Sequence, residues 1–332
     1  MKTYENLSIT NPEKAICIIS HIHPDADALA SMVVFKEFLM NHFKCKLVDL
    51  FAECDQPPEN CLEILDDEVL NLQPTTYDTV FAFDSPNSER LGIYKSIFDS
   101  APNKIVIDHH ATNQFFGDIN FVEMSSSTCE IIYKILKYFN YEISVENQGK
   151  LYAGIITDTN NFSVGNISQE THLIVSEIID NINQNEIYKH FLQNTSLKQM
   201  EMLSLAIQNL KSYDNSQILI SNISKDIAKQ TNATFEDFST IVNELIKISN
   251  SKLICFIYPK GDSYYVSLRA KSEYDVSQIA VKFNGGGHVG AAAFLSNNDN
   301  LSQIENDILN EFKTQLYNNK SPKNKVFKKI RC

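Results

Sequence analysis

Short apolar runs alternate with longer stretches of helical spacing through the first third of the chain. AICIIS (15–20) has the length and β-branched content of a buried strand; the polar loop HIHPDADA follows, and ALASMVVFKEFLMNHF then sets apolar residues three and four apart. The same alternation returns at CKLVDLFA (45–52), TVFAFD (79–84) and KIVIDHH (104–110), each separated from the next by enough residues for a crossover. Strands alternating with helices predict an α/β fold with a doubly wound parallel sheet. STCEIIYKILKYF (127–139) and VENQGKLYAGIIT (145–157) read as helices, the second ending near Asp158, and three more helical stretches reach residue 210. Beyond it QILISNI, LICFIYP and SYYVSLRA are strand-like, with helices between and after them. The pattern divides the chain into an N-terminal domain over 1–185, a helical connector over 186–210, a smaller α/β domain over 211–319 and a tail over 320–332.

A length of 332 residues suits two domains. No apolar run approaches the ~18 to 20 residues of a membrane helix, and MKTYENLSITNPEK has neither the basic start nor the apolar centre of a leader, so neither a spanning nor a secreted protein is expected. Seven cysteines, odd in number and without a Cys-x-x-Cys, read as reduced thiols of a cytoplasmic chain. The net charge is −12, unevenly spread. Six of the 29 Lys and Arg lie in 320–332, where there is no acid, so the rest of the chain sets 23 basic against 41 acidic side chains, net −18. Such a body does not track a long polyanion, whereas a small anionic substrate remains open where bound divalent cations reverse the local sign. The basic end reads as a solvated tail.

Rarer residues carry more information. Four of the ten glycines fall in 285–290, and five of the eight histidines fall at His21 and His23, His109 and His110, and His288. His21, Asp25, Asp27, Asp84, Asp108, His109, His110 and Asp158 are metal-ligand types standing at strand or helix ends along one sheet edge, where doubly wound folds bind their ligands. Five carboxylates in one cleft repel each other unless cations are present, and two divalent ions offset four of the five charges. Mixed imidazole and carboxylate donors suit Mn²⁺, Fe²⁺ or Zn²⁺ better than Mg²⁺, and the lack of cysteine disfavours zinc. Manganese is the first choice, with Mg²⁺ retained. Each segment also has a structural explanation: Asp27 as N-cap of the next helix, Asp-His-His as a hydrogen-bonded cluster, Asp158 as a cap. Their joint order along a single sheet argues for the site.

HIHPDADAL, the FAFD strand ending at Asp84, IDHH and GIITDT, in that order, resemble the four motifs of the DHH phosphoesterases. GGGHVGAAAF (285–294) is similar to the signature of their DHH-associated C-terminal domain, so the resemblance covers roughly residues 15 to 315. It implies that His21 and Asp25 hold one metal, that Asp27, His109 and Asp158 hold the other, and that Asp84 bridges both. His110 then touches the scissile phosphate or assists the leaving group, while Asp108 orients the histidines. Two metals about 3.5 to 4 Å apart lower the pKa of a water between them and stabilise charge developing on phosphorus, so the implied reaction is phosphoester hydrolysis. Ala26 and Ala30 stand where the family commonly has glycine, and His23 where asparagine is frequent; His23 is assigned to the solvent or a supporting role.

The resemblance further implies that the C-terminal domain grips a nucleotide. Consecutive glycines let backbone N–H groups approach an anion or a base edge closely, and Arg269 offers a planar fork for phosphate or stacking. Arg269, Gly285, Gly286, Gly287 and His288 are therefore the substrate-binding candidates, with a tight structural turn as the alternative for the glycines. The aromatic residues read mostly as core, with one unassigned Tyr near Arg269 as a candidate to stack on a base. Ser125 to Thr128 begin a helix, and capping alone accounts for them. Within the family, the glycine signature argues against pyrophosphatases, and the size and charge argue against long-strand exonucleases of the RecJ type. The remaining group is the NrnA-type enzymes, which cleave short RNA or DNA oligonucleotides (nanoRNA, dinucleotides such as pApA) and dephosphorylate 3′-phosphoadenosine 5′-phosphate (pAp). Cyclic-dinucleotide hydrolysis, exopolyphosphatase activity and a non-enzymatic nucleotide sensor are the competing readings. No membrane partner is expected, and a homodimer is left open.

Overall fold

Side chains along the first sheet alternate between two apolar cores, which is what parallel strands covered on both faces require. The computed structural model describes residues 4–9, 11–54, 61–65, 76–163, 165–271 and 274–318; the 320–332 tail lies outside the described residues. The chain divides into two units, Met1–Asn194 and Thr195–Cys332. The first runs β1 (Ile16–Ile19), α1 (Ala26–Asn41), β2 (Val48–Phe51), α2 (Leu62–Leu65), β3 (Thr79–Phe83), α3 (Lys95–Ser100), β4 (Asn103–Asp108), β5 (Ile119–Val122), α4 (Thr128–Tyr138), α5 (Val145–Asp158), α6 (Gln169–Ile178) and α7 (Gln184–Leu192). Its five strands are parallel in the order β2-β1-β3-β4-β5. Ile16, Ile18, Phe81, Phe83, Ile105 and Ile107 join the core built with α1, α4 and α5. Their neighbours Cys17, Ile19, Val80, Ala82 and Val106 face the opposite core, with Leu91 and Phe98. The expected doubly wound α/β domain is present. β5 was not anticipated from sequence, because INFV has a single buried residue at a sheet edge and so lacks an apolar run.

The second unit contains α8 (Leu197–Gln208), β6 (Lys211–Tyr213), β7 (Ile218–Asn222), α9 (Lys225–Thr231), α10 (Phe235–Ser239), α11 (Ile241–Leu245), β8 (Leu253–Lys260), β9 (Ser263–Ala270), α12 (Val276–Lys282), β10 (Gly286–His288), β11 (Ala291–Ser296) and α13 (Leu301–Asn318). Its six-stranded sheet has the order β10-β11-β9-β8-β7-β6, antiparallel except for β7 beside β8. Leu253, Cys255 and Ile257 face a core with α12 and α13, while Ile254, Phe256 and Tyr258 face another with α8, α10 and α11. Gly286 and Gly287, for which a tight turn is the alternative reading, lie in strand β10, paired with β11 across Val289 and Gly290. Among the described residues no helix is long and apolar enough to cross a membrane.

Candidate active site

The central strands β1, β3 and β4 lie side by side, so residues just past their carboxyl ends share one edge. His21 follows β1; Asp84 follows β3 directly; Asp108 closes β4, with His109 and His110 next; Asp158 is the last residue of α5. The N-cap of α1 is Asp25, which accepts from Ala28 N–H at 3.0 Å, so Asp27 sits in the first turn and not at the cap. Ala26 and Ala30 lie inside α1 with buried side chains. His23 is exposed.

Ligand-type atoms meet in three overlapping groups, each with its atoms within 4.8 Å of one another: His21, Asp25 and Asp84; Asp27, His109 and Asp158; and Asp84, His109 and His110. Asp84 Oδ2 is 3.4 Å from His21 Nε2, while its Oδ1 is 3.3 Å from His109 Nε2 and 3.7 Å from His110 Nδ1. His109 Nε2 is also 3.5 Å from Asp158 Oδ2. Charge-assisted hydrogen bonds run ~2.7 to 2.9 Å. The observed spacings of 3.3 to 3.7 Å are instead near the roughly 2.8 to 3.6 Å that separates neighbouring ligands lying 2.0 to 2.2 Å from a common ion, from octahedral to tetrahedral geometry. Donor chemistry and spacing therefore fit divalent cations.

Contacts behind the ligands set their orientation. His110 Nδ1 donates to Asp108 Oδ1 at 2.7 Å, and Asp108 Oδ2 accepts from Asn113 Nδ2 at 2.6 Å. His109 Nδ1 lies 3.4 Å from the Ser125 carbonyl, which leaves Nε2 toward the carboxylates. Both oxygens of Asp27 accept from the start of α4, from Thr128 N–H at 2.7 Å and Cys129 N–H at 2.9 Å. Arg90 Nη2 stands 3.4 Å from His21 Nδ1. Asn113 and Arg90 escape a reading of motifs because each is a single side chain brought in by the fold.

Burial would lower the histidine pKa values, but the carboxylates prevail: Asp84 and Asp25 raise His21 to about 9, and Asp84, Asp158 and Asp27 raise His109 to about 11. Burial, reinforced by the charge of Asp27, pushes Asp158 up to about 8. Asp84, although burial opposes its charge, is held well below the usual carboxylate range by His109 and His21. The site without metal is thus partly protonated, with Asp84 as its fixed anion.

In the second unit, a cavity of about 350 Å³ is lined by Arg269, Gly286 and Gly287 together with Phe235, Tyr258 and Tyr265. Arg269 Nε donates to Asn243 Oδ1 at 3.0 Å and its Nη1 to the Leu268 carbonyl at 3.0 Å. The aromatic rings contact one another with centroids 5.4 Å apart. A Cβ on Gly285 would collide with Ala293 and Phe294, and one on Gly287 with Ala291 and Ala292; Gly286 alone of the three has open space. Close strand packing thus requires glycine at 285 and 287, and Gly285 is not among the cavity residues. The side chain of His288 lies outside the described part of the structure.

Comparison with known proteins agrees with both halves. Residues 15–157 match the DHH family, N-terminal domain, and residues 215–317 match the DHHA1 domain. The chain is similar to a Bacillus subtilis (strain 168) protein named bifunctional oligoribonuclease and PAP phosphatase NrnA, 28% identical over 280 residues that cover 82% of this chain and 86% of that one. A Streptococcus mutans protein described as a probable bifunctional oligoribonuclease and PAP phosphatase NrnA is also 28% identical, over 91% of this chain and 94% of its own. The crystal structure of an exopolyphosphatase-related protein from Bacteroides fragilis shares the fold, with a TM-score of 0.81 at 23% identity and 92% of each chain covered. The chain therefore carries a DHH family N-terminal domain followed by a DHHA1 domain.

Proposed function

We propose that this phosphoesterase hydrolyses short oligonucleotides, including dinucleotides such as pApA, and 3′-phosphoadenosine 5′-phosphate. The observation that carries the reading is the position of Asp84, with one oxygen beside His21 and the other beside His109, in a set of imidazole and carboxylate donors without a thiolate. His21 and Asp25 would hold one divalent ion, Asp27, His109 and Asp158 a second, and Asp84 both. Such a pair, Mn²⁺ by donor type with Mg²⁺ second, supplies an activated water and neutralises charge developing on phosphorus. His110, oriented by Asp108, meets the scissile phosphate or passes a proton to the leaving oxygen.

Arg269, Gly286 and Gly287 would hold the nucleotide in the DHHA1 domain, where Tyr258, Tyr265 and Phe235 give its base an aromatic wall. Names given to the relatives in Bacillus and Streptococcus support the substrate class. The net −18 outside the tail favours short strands, and reduced-type cysteine usage favours a cytoplasmic setting. The test is a product assay with Mn²⁺ on pAp, pApA, cyclic dinucleotides, RNA of increasing length and polyphosphate. Cleavage of pAp and dinucleotides is expected, with the rate per end falling as the RNA lengthens. Turnover of polyphosphate with none of pAp would overturn the proposal.

A further inference from the structure

Ser125 to Thr128 have so far only a helix-capping explanation, and the structure divides that work unevenly. Ser127 is the N-cap of α4, its side chain accepting from Glu130 N–H at 3.1 Å. The hydroxyl of Thr128, the first helical residue, takes no part in the cap. It donates instead to Asp84 Oδ1 at 3.0 Å, across 44 residues of sequence, and both groups are buried. The backbone N–H of the same residue donates to Asp27 Oδ2 at 2.7 Å.

Asp84 needs such a partner. One oxygen lies beside His21 and the other beside His109, and a partial rotation about the terminal side-chain bond would turn the carboxylate plane so that its oxygens no longer reached both sides. That torsion is broad for a carboxylate. A fixed hydroxyl on one oxygen holds the carboxylate plane at the angle that serves both sides. The donor is itself rigid: Thr128 is β-branched and fully buried, and it is tied through its amide to Asp27. The segment is secured from behind, where Glu130 accepts from Ser125 Oγ at 3.0 Å, Ser126 Oγ at 2.6 Å and Thr171 Oγ1 at 2.8 Å.

We infer that Thr128 is a positioning residue that holds the carboxylate of Asp84 with Oδ1 turned to the His109 side, so that one carboxylate can serve both ligand groups at once. The inference rests on the proposed metal site and extends it to a residue that is not itself a ligand. Outer partners of metal ligands are worth roughly ten- to a hundredfold in affinity. Losing the hydroxyl should weaken the ion on the His109, Asp27 and Asp158 side more than the ion on the His21 side.

The experiment titrates full-length wild type, Thr128→Val and Thr128→Ser with Mn²⁺ alone, following free Mn²⁺ by electron paramagnetic resonance, with thermal melting as the check on folding. Two binding events are expected in the wild type. In Thr128→Val one of them should weaken by about ten- to a hundredfold while the other stays within a few-fold, and Thr128→Ser should recover the lost affinity. If Thr128→Val does not fold, Thr128→Ala against Thr128→Ser makes the same comparison. Unchanged affinity for both ions in a folded variant without the hydroxyl would overturn the role of Thr128 alone, because the wild type would still bind two. A wild type that takes up no Mn²⁺ would instead overturn the metal site itself.

Discussion

Asp84 has a backbone φ of 51°, in the left-handed region that asparagine and aspartate enter far more readily than other side chains. The choice of replacement therefore matters. Asp84→Asn keeps the backbone and the shape while removing the charge, so it should leave the melting temperature within a few degrees and abolish turnover of every substrate. Calorimetric Mn²⁺ titration should show uptake falling in parallel; normal uptake would remove Asp84 from the site. The histidines yield a second test. With His21 at about 9, His109 at about 11 and Asp158 at about 8, all three hold protons near neutral pH in the absence of metal. Ligation requires them without those protons, so Mn²⁺ uptake should release protons and tighten as pH rises from about 6.5 to about 8. Titration in two buffers of different ionisation enthalpy measures this, and identical heats would contradict it. The ligand-type residues are legible in the sequence because His and Asp bunch at the ends of apolar runs. Thr128, Asn113 and Arg90 are not, since a lone hydroxyl, amide or guanidinium has no local signature and meets the site only through the fold.

At the level of elements, β1, β3, β4 and β8 announce themselves as apolar runs because both faces are buried along most of their length. β5, β6 and β10 do not, being three or four residues long at or near a sheet edge, and β11 begins as three alanines. The β10–β11 hairpin is where this matters for function. Gly287 has φ 139° and abuts Ala291 and Ala292, whereas Gly286 faces open space at the cavity. Gly287→Ala should therefore destabilise the protein by about 1 to 3 kcal/mol, through strain and lost strand pairing. Gly286→Ala should keep wild-type stability and weaken pAp binding by crowding the cavity. Thermal melts and pAp titrations of the two variants check the division. Equal stability for both would mean that the glycine at 287 answers to a ligand and not to the strand beside it.

On the scale of the whole molecule, the two kinds of chemistry fall in different units. Every ligand-type residue, with His110, Asp108 and Thr128, precedes residue 194, whereas Arg269 and the β10 glycines follow residue 195. This division is legible in the sequence as seven of the eight histidines before residue 195 and a cluster of four glycines at 285–290 after it. It predicts that recognition separates from bond cleavage. On the proposed reading a substrate with a nucleotide part would engage Arg269, whereas a small activated phosphodiester without a base would give the second unit nothing to hold. Losing a charge-assisted hydrogen bond should cost on the order of 1.5 to 3 kcal/mol, which is roughly ten- to a hundredfold in kcat/KM. Arg269→Ala should therefore lower kcat/KM for pAp and dinucleotides by about that factor and leave bis(p-nitrophenyl) phosphate within a few-fold. The variant also loses the bond to Asn243, so Asn243→Ala serves as the control for a purely structural effect. Steady-state kinetics on the two substrate types decide the matter. Equal loss on both would reassign Arg269 from holding the nucleotide to assembling the catalytic site.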